Sequence, residues 1–209
     1  MQISLDNAGK KFGNQWIFRN INHVFEEKTI NSVLGKNGSG KSSLLKIISG
    51  YTNLSRGKVS YSLNSKNICG KSIYMHTSIA SPHLQLIEEL TLYETLNFHF
   101  KLKTAINNYN TKNIIEILQL ESAANKILKN FSSGMKQRVK LALAFFTTSN
   151  LLLLDEPCTN LDKEAKKWYQ DILNKTSNSR TVIVFSNHNE TETFLSTNSL
   201  LLKNNFLSA

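Results

Sequence analysis

The chain has 209 residues, 40% of them hydrophobic and 19% charged, and 25 Lys and Arg against 15 Asp and Glu give a net charge of +10. That composition excludes a disordered or fibrous chain and predicts a soluble globular protein with one sizeable core. No apolar run approaches the ~20 residues of a spanning helix, and the start, MQISLDNAGKKFG, alternates like a strand and lacks a secretory layout, so a cytoplasmic location is expected. The two cysteines, Cys69 and Cys158, are too few and too isolated for a disulfide framework or a zinc site. The basic residues are scattered, without the aromatic interleaving of an RNA-binding sheet. Charge alone therefore chooses no partner among nucleic acid, membrane surface, protein and phosphate.

In chain order, ISLDNA, WIFRNINHVFEE and TINSVLG read as strands, the last ending in glycine. A helix is predicted next, since Leu44, Leu45, Ile47 and Ile48 repeat at helical spacing and Gly50 offers a stop. A strand pair is predicted over Gly57–Leu63 and Ser72–Ala80. From 86 to 147 the texture turns helical: TLYETLNFHFKL, NIIEILQLESAANKIL and SGMKQRVKLALAFF form a predicted helical subdomain inserted in an α/β body. LLLLD and TVIVFSN then read as strands around the helix DKEAKKWYQDIL, followed by a short helix, NETETFL, and a closing β segment, SLLLKNNFL. Runs that are apolar at every position suit a parallel sheet covered on both faces.

The sharpest local signal is Gly35-Lys36-Asn37-Gly38-Ser39-Gly40-Lys41-Ser42, which satisfies G-x-x-x-x-G-K-[ST] between a predicted strand and a predicted helix. Its glycines let the backbone amides curl around phosphate oxygens, and the helix behind adds its positive end, with Ser43 in the first turn. Lys41 brings a point charge to the β and γ phosphates, and the Ser42 hydroxyl is placed for Mg²⁺. About a hundred residues on, the strand LLLL carries Asp155 to the sheet edge as a second Mg²⁺ group and Glu156 as a base for the attacking water. This pattern predicts a P-loop NTPase: α/β, with a parallel sheet core, an N-terminal antiparallel β subdomain and the helical insert, all in one domain over 1–209.

Between those motifs lies Phe131-Ser132-Ser133-Gly134-Met135-Lys136-Gln137-Arg138. The order phosphate loop, FSSGMKQR, LLLLDEP, Asn160-Leu161-Asp162 and an isolated His188 resembles the nucleotide-binding subunit of ATP-binding-cassette (ABC) transporters over essentially the whole chain. The resemblance implies that Ser132, Ser133 and Gly134 form the signature motif, which caps the ATP held by a second cassette subunit. Ser133 and Met135 depart from the commonest form of that motif, and the GMKQR variant and short length are similar to exporter-type, haem-exporter-like cassettes. It further implies that Asp162 belongs to a loop linking two sites across a dimer, although Asp162 also suits a plain helix N-cap. His188 is implied to reach the γ-phosphate, and Phe12, with Trp16 as competitor, to stack on adenine.

One element is displaced. The family has a glutamine after the strand before the helical subdomain, a Mg²⁺ ligand, and here Gln85 is the only glutamine nearby and falls late. Ser81 and His83 stand closer to the expected position. The function implied is an ATP-binding and ATP-hydrolysing subunit using ATP and Mg²⁺, working as a dimer on the cytoplasmic face of a membrane with a separate integral membrane subunit. The alternative is a soluble cassette ATPase acting on ribosomes or DNA; no nucleic acid partner is expected.

Overall fold

The computed structural model describes residues 1–203. Strands β1 (Gln2–Phe12) and β2 (Gln15–Phe25) make an antiparallel hairpin. β3 (Ile30–Leu34) leads through the glycine loop into α1 (Lys41–Ile48). β4 (Arg56–Leu63) and β5 (Lys66–Ile68) follow, then α2 (Ile73–His76) and β6 (Thr77–Ala80). Three helices come next, α3 (Leu92–Leu102), α4 (Thr111–Leu118) and α5 (Ser133–Phe145). The chain then alternates: β7 (Leu151–Asp155), α6 (Lys163–Thr176), β8 (Thr181–Ser186), α7 (Glu190–Thr193) and β9 (Asn198–Leu201). The part of the expected closing β segment at 204–207 lies outside the described residues.

Two sheets result. One is antiparallel, in the order β2-β1-β4-β5; the other is parallel, in the order β6-β7-β8-β3-β9. Alternate residues of β7 and β8 enter opposite cores. Leu152, Leu154, Val182 and Val184 pack with residues of α3 to α6, whereas Leu151, Leu153, Ile183 and Phe185 pack with α1 and the antiparallel sheet. Coverage of both faces is why the runs 151–154 and 182–185 are apolar at every position. Each fully buried Leu or Ile contributes ~1.5–3 kcal/mol of transfer free energy. Because the second sheet is parallel, β3, β6, β7 and β8 all end at the same edge, and the loops leaving that edge carry the candidate site.

Three expectations differ in the structure. Gly57–Leu63 and Ser72–Ala80 do not pair with each other: β4 joins β1 and β5 in the antiparallel sheet, and β6 joins β7 in the parallel one. Within Ser72–Ala80 only Thr77–Ala80 is strand; Ile73 is buried against the Gly50 backbone, and Thr77 Oγ1 donates to Ile73 O at 2.8 Å, which closes a helical turn. The helix expected from Asn113 to Leu128 stops at Leu118. Gln119 turns left-handed (φ 55°), and its N–H donates to the carbonyls of Glu116 and Ile115, which satisfies the helix end. Leu120, Ala123 and Leu128 still bury, so the helical spacing there belongs to irregular turns packed on the same core.

Candidate functional site

The loop from Gly35 to Ser42 leaves β3 at the common edge and winds into α1. Gly40 sits at φ +97°, and a Cβ there would come within 2.5 Å of Ile17 Cγ2, so both the backbone and the neighbouring hairpin require glycine. No acidic residue of α1 itself lies in its first turn. Lys36, Asn37 and Gly38 form the exposed tip, while Ser39 Oγ is buried without a hydrogen-bond partner. Lys41 is 5% exposed. Its Nζ donates to Gly35 O at 2.8 Å and Lys36 O at 3.3 Å and pairs with Glu156 Oε1 at 3.7 Å.

Beside Lys41, Ser42 Oγ donates to Asp155 Oδ2 at 3.0 Å, and Ser81 Oγ donates to the same oxygen at 3.2 Å. Burial raises the Asp155 pKa above the usual carboxylate range; the two serine hydrogen bonds and His83 oppose the shift, and the Glu156 charge adds to it. Glu156 follows in a left-handed conformation (φ 43°), its N–H donating to Phe185 O at 2.9 Å, and that turn brings its carboxylate to Lys41. Gln85, assigned to the metal from sequence, stands elsewhere. It lines a recess of about 480 Å³ with Pro82, Glu88, Lys136 and Lys140, because β6 ends at Ala80 and delivers Ser81, not Gln85, to Asp155.

His188 follows β8 in a left-handed turn (φ 56°) and is exposed. It lines a recess of about 420 Å³ with Gly35, Lys36 and Lys203, so the edge places it over the start of the phosphate loop. Phe12, 58% exposed, ends β1 opposite Gln15, with Lys10 Nζ 5.2 Å from its ring centroid. The hairpin that carries it abuts Gly40 through Ile17 and Phe18. Trp16, the competitor, is less exposed and lies under Lys11.

Ser132 caps α5, its Oγ accepting from Met135 N at 3.2 Å, and Ser132 and Ser133 are both exposed at a helix start with no acid in its first turn. A Cβ on Gly134 would lie 2.9 Å from Asn160 O, so this helix start presses on the turn that follows β7. Asp162 caps α6, accepting from Ala165 N at 2.8 Å. Two contributors were given no role in the sequence reading, although Gln137 lies in the segment FSSGMKQR. Gln137 Nε2 donates to Pro157 O at 3.0 Å, and Glu192, 3% exposed, contacts both Cys158 and Ser186. A lone Gln inside a helix or a Glu in a run of Thr and Glu carries no sequence signal of burial.

The family profile described as "ABC transporter" matches residues 18–159. The chain is 33% identical over 185 residues to the sulfate/thiosulfate import ATP-binding protein CysA of Mesostigma viride, covering 85% of this chain and 53% of that protein. It is 29% identical over 197 residues to the uncharacterized ABC transporter ATP-binding protein YybJ of Bacillus subtilis (strain 168), covering 90% and 86%. The chain thus spans about half the length of the first relative and most of the second. Among solved structures, a dimeric ATP-binding cassette in a post-hydrolysis state, bound to ADP and Pi, superposes with a TM-score of 0.79 at 24% identity, covering 97% of this chain and 94% of that one. That likeness concerns the fold.

Proposed function

The chain belongs to the ABC transporter family, and on that footing we propose that it is the ATP-binding and ATP-hydrolysing subunit of a transporter. The observation that carries the proposal is the meeting of Lys41, Ser42, Asp155 and Glu156 within hydrogen-bond or ion-pair reach at one sheet edge. The loop amides and Lys41 hold the phosphates. The oxygens of Ser42, Ser81 and Asp155 suit a hard divalent cation, and the buried, unpartnered Ser39 hydroxyl is a further polar group in the loop. Bound Mg²⁺ supplies neutralisation of the charge on the β and γ phosphates. The Glu156 carboxylate orients the attacking water and accepts its proton, and the His188 imidazole meets the γ-phosphate. Phe12 stacks on the base, a contact worth ~1–3 kcal/mol.

The exposed serines at the start of α5 serve the nucleotide of a second subunit, and the turn bearing Asp162 lies between the two sites. Two copies closing on ATP and reopening after hydrolysis drive an integral membrane subunit, which places this chain at the cytoplasmic membrane face. Among the described residues no helix is long and apolar enough to cross a membrane. The test is ATP turnover by the purified chain with Mg²⁺, together with affinity purification from membranes. We expect hydrolysis that RNA and DNA do not stimulate and co-purification of a spanning protein. A chain that binds no nucleotide, or one whose turnover rises steeply and salt-sensitively with nucleic acid, overturns the proposal.

A further inference from the structure

Glu192 is a buried carboxylate outside the phosphate machinery, and its two carboxylate oxygens join two turns that are far apart in the chain. Its Oε1 accepts from Cys158 N at 3.0 Å, in the turn between β7 and Asp162. Its Oε2 accepts from Ser186 Oγ at 2.5 Å, and Ser186 Oγ in turn accepts from Asn189 N at 3.1 Å, which holds the turn bearing His188. The Glu192 backbone is fixed as well, since its carbonyl accepts from the fully buried Tyr169 hydroxyl at 2.9 Å. On the far side of the first turn, Gln137 on α5 donates to Pro157 O. An unbroken series of hydrogen bonds therefore runs from α5, whose start bears Ser132 and Ser133, through Pro157 and Cys158, to Glu192 and on to the His188 turn.

We propose that Glu192 is a positioning residue that locks the 157–162 turn to the 186–189 turn, so that displacement of the α5 start or of Asp162 moves His188 with it. A surface loop pair of this kind otherwise relaxes independently, and a buried acceptor with two well-made bonds is costly to break on either side. The carboxylate keeps this place although burial raises its pKa, with the bonds from Ser186 and Cys158 opposing the shift and the charges of Glu156 and Asp155 adding to it. In functional terms the idea rests on the ATPase reading. It gives a route within one chain between a second subunit's nucleotide, at Ser132, and its own, at His188.

The test is amide hydrogen exchange on the full chain without nucleotide, comparing wild type, Glu192→Ala, Glu192→Gln and Ser186→Ala. Glu192→Ala should speed exchange at both Cys158 and Asn189 by at least about tenfold, with residues 36–42 unchanged, and Glu192→Gln, which keeps an acceptor for Cys158, should restore most of the protection. With ATP and Mg²⁺, Glu192→Ala should lower kcat about tenfold and leave KM within about twofold. Faster exchange in only one turn, or an unchanged kcat, overturns the proposal. If Glu192→Ala does not fold, Ser186→Ala decides: wild-type exchange at Asn189 with wild-type kcat overturns it. The exchange measurement needs no nucleotide, so its failure rejects the lock alone, whereas a wild-type chain that binds no ATP rejects the ATPase reading.

Discussion

Lys41 Nζ stands 3.7 Å from Glu156 Oε1, so the cation assigned to the phosphates and the carboxylate assigned to the water already neutralise one another across the loop. An entering phosphate shares Lys41 with an acid that must stay charged to work as a base.

Replacing Glu156 by Gln removes both the proposed base and the competitor for Lys41. ATP should still bind, as tightly as to wild type or more so, while turnover falls by at least about a hundredfold and the chain accumulates as a dimer with ATP. Calorimetry and size-exclusion chromatography check this; an unchanged hydrolysis rate removes Glu156 from the mechanism.

Lys41→Ala deletes the proposed charge-assisted contact to phosphate and leaves Glu156 unpaired beside it. Affinity for ATP should fall at least about tenfold. Fluorescent-nucleotide titration measures the loss, and normal binding would show that the phosphate loop is misassigned.

The serine hydroxyls on Asp155 make a prediction that separates Ser81 from Gln85. Ser81→Ala should weaken the apparent affinity for Mn²⁺ in the presence of nucleotide by about tenfold, read by electron paramagnetic resonance, whereas Gln85→Ala should not change it. The reverse pattern would restore the glutamine to the metal.

Gly134 has no room for a side chain. Its Cβ would meet the Asn160 carbonyl at 2.9 Å, and Asn160 is itself left-handed at φ 62°, so Gly134→Ala must shift backbone in the turn before Asp162. A loss of ~1–3 kcal/mol and a melting point lower by several degrees are expected. A variant as stable as wild type would mean that the α5 start is not pressed on that turn.

Glu192 also sets a pH dependence. Its folded pKa lies above the unfolded one because of burial, so its contribution to stability is fully present below the unfolded value and is lost as pH rises through the folded value. Glu192→Gln does not titrate. The melting point of the variant relative to wild type should therefore rise as pH climbs from the ordinary carboxylate range through the raised folded value. A constant difference across that range would place the carboxylate in an ordinary, wetter setting.

Much of this site was legible because its chemistry needs consecutive residues. Gly35 to Ser42 and Leu151 to Glu156 each declare a loop or a strand end, and the apolar runs of β7 and β8 betray a sheet buried on both faces. What was not legible depends on which side chains meet. The run Ser72–Ala80 marks the end of β6 at Ala80 and leaves both Ser81 and His83 near the expected position, but only the packing of β6 beside β7 shows that it is the Ser81 hydroxyl that reaches Asp155. Gln119 stops α4 by a backbone choice that its side chain does not announce. The exporter-type reading rested on the GMKQR variant and chain length, and residues from that segment contact Asn160 and Pro157 of the same chain, a packing relation that encodes no direction of transport.

Phe12 belongs to the antiparallel sheet and Lys41, Asp155 and His188 to loops of the parallel one. On the proposed reading, the base and the phosphates are therefore held by separate pieces of architecture. Substitutions at Phe12 would then change how tightly a nucleobase is held while the groups proposed for cleavage stay in place, so affinity for nucleotide and competence to hydrolyse could drift apart in evolution or be engineered one at a time.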